Sequence, residues 1–194
     1  MGRSSRADAA RHREEVVAAT ARLLRERGAA GVSVQELMAA AGLTHGGFYK
    51  HFSSKEELVG IATETAYNEI LGMLVQVAEE IPGKTEARAE LLNQYLCAEH
   101  RDAPGTGCAM VALASDAARA PHDGPLRTAY AAGLEAALDQ LTGYQDAEAE
   151  VRRAAIADLA SMVGALTLAR ATGGTALSDE ILDVVRDALI AQRQ

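Results

Sequence analysis

The sequence predicts an all-α protein, on three observations. Alanine and leucine dominate a chain of 194 residues of which 48% are hydrophobic and 4% aromatic, a composition that favours helix. Apolar residues recur at helical spacing along most of the chain, without an alternating strand pattern. The whole chain contains four prolines. We therefore predict about nine helices.

The N-terminal helices are bounded by capping signals. Apolar positions at helical spacing predict a helix over residues 6–27, which ends at Gly28. The sequence SVQE at Ser33–Glu36 is a capping box, in which the serine and glutamate side chains each bind a free amide of the helix start. This box opens a short helix, and Gly42 ends it.

Two further helices follow. Thr44 is expected to cap a short helix that runs through Lys50. The sequence SKEE at Ser54–Glu57 is a second capping box, which opens a long helix to about Ile81. The remaining helices are predicted at residues 85–101, 108–119, 125–141, 146–172 and 178–192.

The first helices match the layout of a helix-turn-helix domain. Three helices precede residue 52, and the sequence AAGL at 40–43 has the length and the glycine of the required turn. No flexible linker follows, so the boundary is placed inside the long helix. We predict a helix-turn-helix domain at residues 1–60 and a helical C-terminal domain at residues 61–194.

Charge is divided unevenly between these two parts. Residues 1–55 hold nine Lys/Arg and five Asp/Glu, a net of +4, whereas residues 56–194 hold ten and twenty-two, a net of −12. A basic N-terminal part on an acidic remainder indicates a nucleic-acid partner in spite of the total of −8. The alternative is an ordinary solvated helix face.

The stretch LTHGGFYKHF at 43–52 would place a helix in the major groove of DNA. Its two glycines cost about 1 kcal/mol each in a helix, which close approach to DNA would offset; otherwise they only mark a loop. Phe48 and Phe52, four residues apart, are expected in the core. Arg3 and Arg6 could form an arm along a groove. The predicted DNA-binding residues are Ser33, Gln35, Thr44, His45, Gly46, Gly47, Tyr49, Lys50, His51 and Lys55.

Two other functions compete with DNA binding. Histidine-glycine runs also build oxyanion holes, but the chain has no G-x-S-x-G, no Walker loop and no G-x-G-x-x-G. We therefore expect no enzyme, no catalytic residue and no cofactor. The second alternative is a helical adaptor that does not bind DNA, against which the charge division and the paired capping boxes count.

Residues 20–62, with the capped second helix, the core AGLTHGGFYKHF and the start SKEEL of the long helix, resemble the DNA-binding domain of the TetR family of transcriptional regulators. The resemblance implies a homodimeric repressor that binds a palindromic operator. It also implies a cavity for a small-molecule effector in the C-terminal domain and release from DNA when the effector binds. Expected partners are therefore double-stranded operator DNA, an effector and a second copy of the chain.

Residues of the C-terminal domain are assigned to a dimer interface and to the effector site. Apolar stripes on the last two helices predict an interface of Val151, Ala155, Leu159, Met162, Leu166, Ile181, Val185 and Leu189, although such stripes are also typical of plain core. Large side chains expected between helices predict ligand contacts at Tyr67, Leu71, Tyr95, Cys108, Met110, Tyr130 and Met162.

The segment between Cys97 and Cys108 allows further chemistry. Cys97, His100 and Cys108 have no convincing fourth ligand, so no metal is expected. Cys108 starts a helix, where the dipole lowers a thiol pKa, and some relatives with Gly-Cys at this place resemble sensors of electrophiles or oxidants. A redox-sensing or electrophile-sensing repressor that uses Cys108 is therefore the alternative function, beside a buried structural cysteine.

We expect a cytoplasmic protein with no membrane partner. The polar N-terminus has no apolar run behind it, and nowhere do eighteen apolar residues follow one another without a charge. Two cysteines do not suggest a disulfide scaffold.

Overall fold

The computed structural model describes residues 6–144 and 151–192, and these contain nine α-helices, two 3-10 helices and no strand. The all-α prediction is confirmed. The 3-10 helices are His45–Lys50, here called the recognition helix, and Pro104–Thr106. The α-helices are α1 (Arg6–Arg27), α2 (Val34–Ala40), α3 (Lys55–Glu80), α4 (Lys84–Tyr95), α5 (Ala98–Asp102), α6 (Ala109–Arg119), α7 (Pro125–Thr142), α8 (Val151–Ala171) and α9 (Ala176–Ala191).

The head consists of α1, α2, the recognition helix and the first turns of α3. The capping box of α2 is present, since the Ser33 Oγ accepts from the Glu36 amide and the Glu36 carboxylate accepts from the Ser33 amide. Gly42, in the turn that follows α2, has a φ of +70°, a conformation that glycine adopts without strain. The turn and both of its flanking helices are therefore set by local sequence.

The predicted caps at Thr44 and Ser54 lack some of the hydrogen bonds that the sequence predicted. Thr44 occupies the N-cap of the recognition helix, but its side chain makes no capping hydrogen bond, and the helix is 3-10 rather than α. Two adjacent glycines disfavour a longer α-helix here. At α3, the Ser54 side chain accepts from the Glu57 amide as predicted, whereas the Glu57 carboxylate binds the amide of Ser53 and not that of Ser54.

One helix prediction is wrong. The segment predicted as a single helix, 85–101, is broken between α4 and α5. The break has a local cause, because the His100 ring binds the carbonyl oxygen of Tyr95 at 2.8 Å, where a continuous helix would bond that oxygen to a backbone amide. The predicted start of α8, at residue 146, lies outside the described residues.

The body consists of the remainder of α3 and of α4 to α9. It packs around α3, which continues from the head without interruption. Helix α3 packs along α7 and α1, and α8 packs against α9. The buried Arg88 of α4 joins the last two helices, since it donates to the Asp158 carboxylate of α8 and to the Leu189 carbonyl of α9. The predicted domain boundary near residue 60 falls within this continuous helix and stays a prediction.

Among the described helices, Val151–Ala171 is long and apolar enough to cross a membrane by length and composition. This property is weak evidence for a membrane span, because core helices of soluble proteins have the same length and composition.

Candidate nucleic-acid interface and body cavity

The recognition helix is exposed on one side and anchored on the other. Phe48 and Phe52 are buried, with ring centroids 5.6 Å apart, as the sequence predicted. Tyr49 lies edge-on to Phe48 and remains 74% exposed. The two phenylalanines therefore fix the helix while its polar side chains face solvent.

Gly46 is not required by the fold of the chain. Its φ lies outside the left-handed region, and a Cβ atom built on it meets no atom within 4 Å. At Gly47 the nearest atom would be the Met38 Cε at an ordinary 3.6 Å. Neither the backbone conformation nor packing within the protomer therefore demands glycine at position 46.

Four of the predicted DNA-binding residues share one groove. Thr44, Gly47, Lys50 and His51 line a depression of about 240 Å³ together with residues of α1. His12 of α1 belongs to this groove, and the sequence analysis missed it. The charge division could not have found it, because that count includes only Lys, Arg, Asp and Glu.

The other predicted DNA-binding residues are placed differently. His45 and Gln35 are exposed. Ser33 is exposed too, but its hydroxyl is engaged by Glu36. The Lys55 ammonium donates to the Ala29 carbonyl at 3.1 Å, at the contact between head and body. Arg3 and the side chain of Arg6 lie outside the described part of the chain.

The exposed groups suit a phosphate backbone and base edges. Hydroxyl, imidazole and ammonium donors surround a glycine that leaves room for close approach. We retain the whole predicted set as candidate contacts.

The body contains a cavity of about 270 Å³ beside Cys108, here called the Cys108 cavity. Two predicted ligand residues, Tyr95 and Cys108, line it. The sequence analysis did not assign the other lining residues to a ligand site, because α3, α4 and the loop before α6 meet only in the folded chain. These are Glu69, Ile70, Met73, Gln94, His100, Thr106 and Gly107.

The remaining predicted ligand residues do not line this cavity. Tyr67 is buried and packs edge-on against Tyr130, with ring centroids 5.7 Å apart. The Tyr130 hydroxyl donates to the Met110 carbonyl at 3.1 Å. Met162 is buried and Leu71 half-buried.

The Cys108 thiol is buried at the start of α6. Burial raises its pKa, and the Tyr95 hydroxyl, two backbone amides of α6 and the Arg170 guanidinium offset the rise only in part. Because thiolate is the reactive form, this environment favours a slowly reacting thiol.

His100 holds the cavity wall through both of its ring nitrogens. Its Nε2 accepts from the Cys108 amide at 3.1 Å, so its Nδ1 carries the proton and donates to the Tyr95 carbonyl. Burial lowers the pKa of His100; the hydrogen bond to the Tyr95 carbonyl raises it in part, and the nearby Arg170 guanidinium lowers it further. The ring is therefore held neutral, with both nitrogens occupied.

A larger cavity, of about 440 Å³, lies where head and body meet. Its wall combines the loop after α1, the first turn of α3, the end of α6 and the start of α7. At this contact the Ala29 amide donates to the Asp116 carboxylate at 2.8 Å.

The predicted dimer residues lie mostly inside the protomer. Ala155, Leu159, Met162, Leu166 and Leu189 are buried, and Val151, Ile181 and Val185 are half-buried. Large apolar residues of α8 and α9 face outward instead: Ile156, Leu168, Leu177 and Val184. A Cβ atom built on Gly164 of α8 meets nothing within 4 Å.

Comparison with known proteins matches this architecture. Residues 16–60 match the family of bacterial regulatory proteins of the tetR type. The helix-turn-helix transcriptional regulator YerO of Bacillus subtilis is 29% identical over 90 residues, which cover 46% of this chain but only 30% of that relative.

Solved structures share the fold over nearly the whole chain. Escherichia coli NemR in its reduced form is 21% identical with a TM-score of 0.79, covering 92% of this chain and 94% of that one. A TetR regulator of Chloroflexus aurantiacus is 24% identical with a TM-score of 0.79, covering 95% and 96%. A transcriptional regulator of Rhodococcus is 25% identical with a TM-score of 0.73, covering 93% and 94%.

Proposed function

Because the chain belongs to the TetR family of DNA-binding transcriptional regulators, we propose that it is a homodimeric, cytoplasmic repressor that leaves a palindromic operator when a small molecule binds in its body. The observation that carries the proposal is Gly46. This position is exposed and has room for a side chain, yet it holds glycine, which loses more conformational freedom on folding than any other residue. A DNA groove that admits the backbone supplies the missing reason.

DNA binding is tested with duplex DNA from immediately upstream of the protein's own gene. A nuclease footprint is expected to protect a palindrome, because a two-fold dimer binds two half-sites. Affinity is expected to fall steeply as salt rises. A chain that binds no duplex DNA even at low salt would contradict the proposal.

The dimer is proposed to form through the outward faces of α8 and α9. The exposed apolar side chains and the small residue Gly164 support close helix packing by a second copy. Leu168→Glu and Val184→Glu are expected to give monomers in analytical ultracentrifugation. Val75→Glu, at an exposed apolar residue of α3, is the matched control and should remain dimeric.

The effector is proposed to bind in the Cys108 cavity, whose wall combines polar side chains such as Glu69 and His100 with apolar ones such as Ile70 and Met73. A screen would measure which small molecules release the protein from operator DNA. Met73→Trp, which fills the cavity, is expected to keep DNA binding and to abolish release. Release that survives this substitution would place the effector elsewhere.

A second candidate function is thiol sensing by Cys108. It is supported by the position of Cys108 on the cavity wall, next to free amides of α6. The raised pKa opposes it, so we rank it below reversible ligand binding. Cys108→Ser should abolish release by oxidants and electrophiles if the thiol is the sensor, and leave release unchanged if it is structural.

A further inference from the structure

Arg25 of α1 is a buried cation that the head places against the body. Its side chain is 3% exposed. The Nε donates to the Gly105 carbonyl at 2.7 Å, and the Nη1 binds the Glu69 carboxylate at 2.5 Å. One guanidinium thus joins α1 to α3 and to the loop before α6.

Both partners of Arg25 belong to the wall of the Cys108 cavity or adjoin it. Glu69 lines the cavity directly. Gly105 immediately precedes Thr106, Gly107 and Cys108, which all line it. An occupant that displaces the Glu69 carboxylate or moves this loop therefore acts on Arg25 without touching α1.

Helix α1 is seated closely on this loop. A Cβ atom at Gly105 would lie 2.5 Å from the Glu26 Oε1 and 3.1 Å from the Arg22 Cγ, both on α1. Breaking one bond of a buried guanidinium leaves its charge poorly compensated. The loop and α1 are therefore coupled in two ways: by close packing at Gly105 and by the bonds of the buried Arg25 guanidinium.

We infer that Arg25 couples the Cys108 cavity to the DNA-binding head. In the DNA-bound arrangement both of its bonds are made, and an occupant of the cavity weakens one of them and releases α1. This inference rests on the proposed function, because it explains how an effector in that cavity changes affinity for DNA. The bond between Ala29 and Asp116, which joins head and body outside the Cys108 cavity, has no part in it.

Coupling between two sites is reciprocal, so DNA must act on the cavity as the cavity acts on DNA. Hydrogen–deuterium exchange with mass spectrometry tests this without a known effector, using full-length protein with and without the footprinted duplex. In the wild type, DNA is expected to slow exchange of peptides from 104–110 by about fivefold, within the usual range of allosteric coupling. Peptides from 178–190, away from Arg25, serve as the internal reference.

Arg25→Met removes both bonds while keeping an apolar stem of similar length. We expect this variant to lose the slowing at 104–110, whereas Arg11→Met, which removes an exposed cation of α1 without affecting either bond, should retain it. Glu69→Gln weakens the ion pair of Arg25 but keeps its bond to the Gly105 carbonyl, so it should reduce the slowing of exchange at 104–110. If Arg25→Met does not fold, Glu69→Gln tests the inference in its place.

Two results would overturn the inference. One is a wild type that binds DNA without slowed exchange at 104–110. The other is full slowing in Arg25→Met, or in Glu69→Gln where Arg25→Met does not fold. Failure of the proposed function is separate, since it would appear as absence of a protein–DNA complex.

Discussion

The recognition helix of the head and α7 of the body each contain a glycine, and the surroundings of the two are opposite. At Gly46 an added Cβ meets nothing within 4 Å, whereas at Gly133 it would overlap the buried ring of Tyr67. Packing inside the chain explains Gly133, whereas nothing inside the chain explains Gly46, for which we propose close approach of DNA. The same residue type is thus required by the fold in one region and not required by it in the other.

Gly46→Leu should give the largest effect and should separate binding from stability. The leucine side chain fits the free protein but would lie between the recognition helix and the DNA bases, and so would keep the helix out of the major groove. Affinity for the operator should therefore fall toward the nonspecific level, by about a thousandfold or more. Fluorescence anisotropy measures this loss, and thermal unfolding should be unchanged. An unfolded variant would mean that the glycine is structural after all.

Gly133→Ala should lower the stability of the protein and should not act on DNA contacts directly. The Tyr67 ring is buried and packed on Tyr130, so it cannot move away from a new methyl group. Overpacking of this kind is expected to lower the free energy of unfolding by about 2–3 kcal/mol, measured by chemical denaturation.

A matched control for Gly133 is Gly72 of α3. A Cβ at Gly72 meets nothing within 4 Å, so Gly72→Ala should stabilise the helix by about 1 kcal/mol. If Gly133→Ala were as stable as Gly72→Ala, the packing explanation would be wrong.

Lys50→Ala should have a smaller effect, confined to the head. Lys50 lines the groove beside the recognition helix, and loss of one phosphate contact per subunit should lower the slope of log affinity against log salt by about 1 per subunit. Lys84→Ala removes the same charge from the body and should leave the slope unchanged. If both variants gave the same slope of log affinity against log salt, Lys50 would not contact the DNA backbone.

The head could be predicted from the sequence because its signals are local. The Ser33 capping box, the turn glycine at 42 and the two buried phenylalanines each depend on neighbours within a few residues. The Cys108 cavity depends on residues such as Glu69 and Thr106, which are far apart in sequence and carry no periodic signal. Helical stripes likewise identified apolar faces of α8 and α9 without telling the core side from the outer side.

The smallest expected effect concerns the neutral His100. Burial lowers its pKa below the ordinary value of 6.5, so between the two pKa values the unfolded chain binds more protons than the folded one. The free energy of unfolding should therefore fall as the pH drops below about 6.5, by at most about 1.4 kcal/mol per pH unit from this group. Protonation would also remove the Nε2 acceptor from the Cys108 amide, beside the Arg170 guanidinium.

His100→Gln isolates this contribution, because glutamine offers a donor and an acceptor but does not titrate. Chemical denaturation at about pH 7.5 and about pH 5.5 should show a larger loss of stability in the wild type than in the variant. Since the Cys108 amide lies on the wall of the cavity, the same protonation should loosen the loop that Arg25 holds. Equal losses in the two proteins would show that the His100 ring is not held neutral in the folded state.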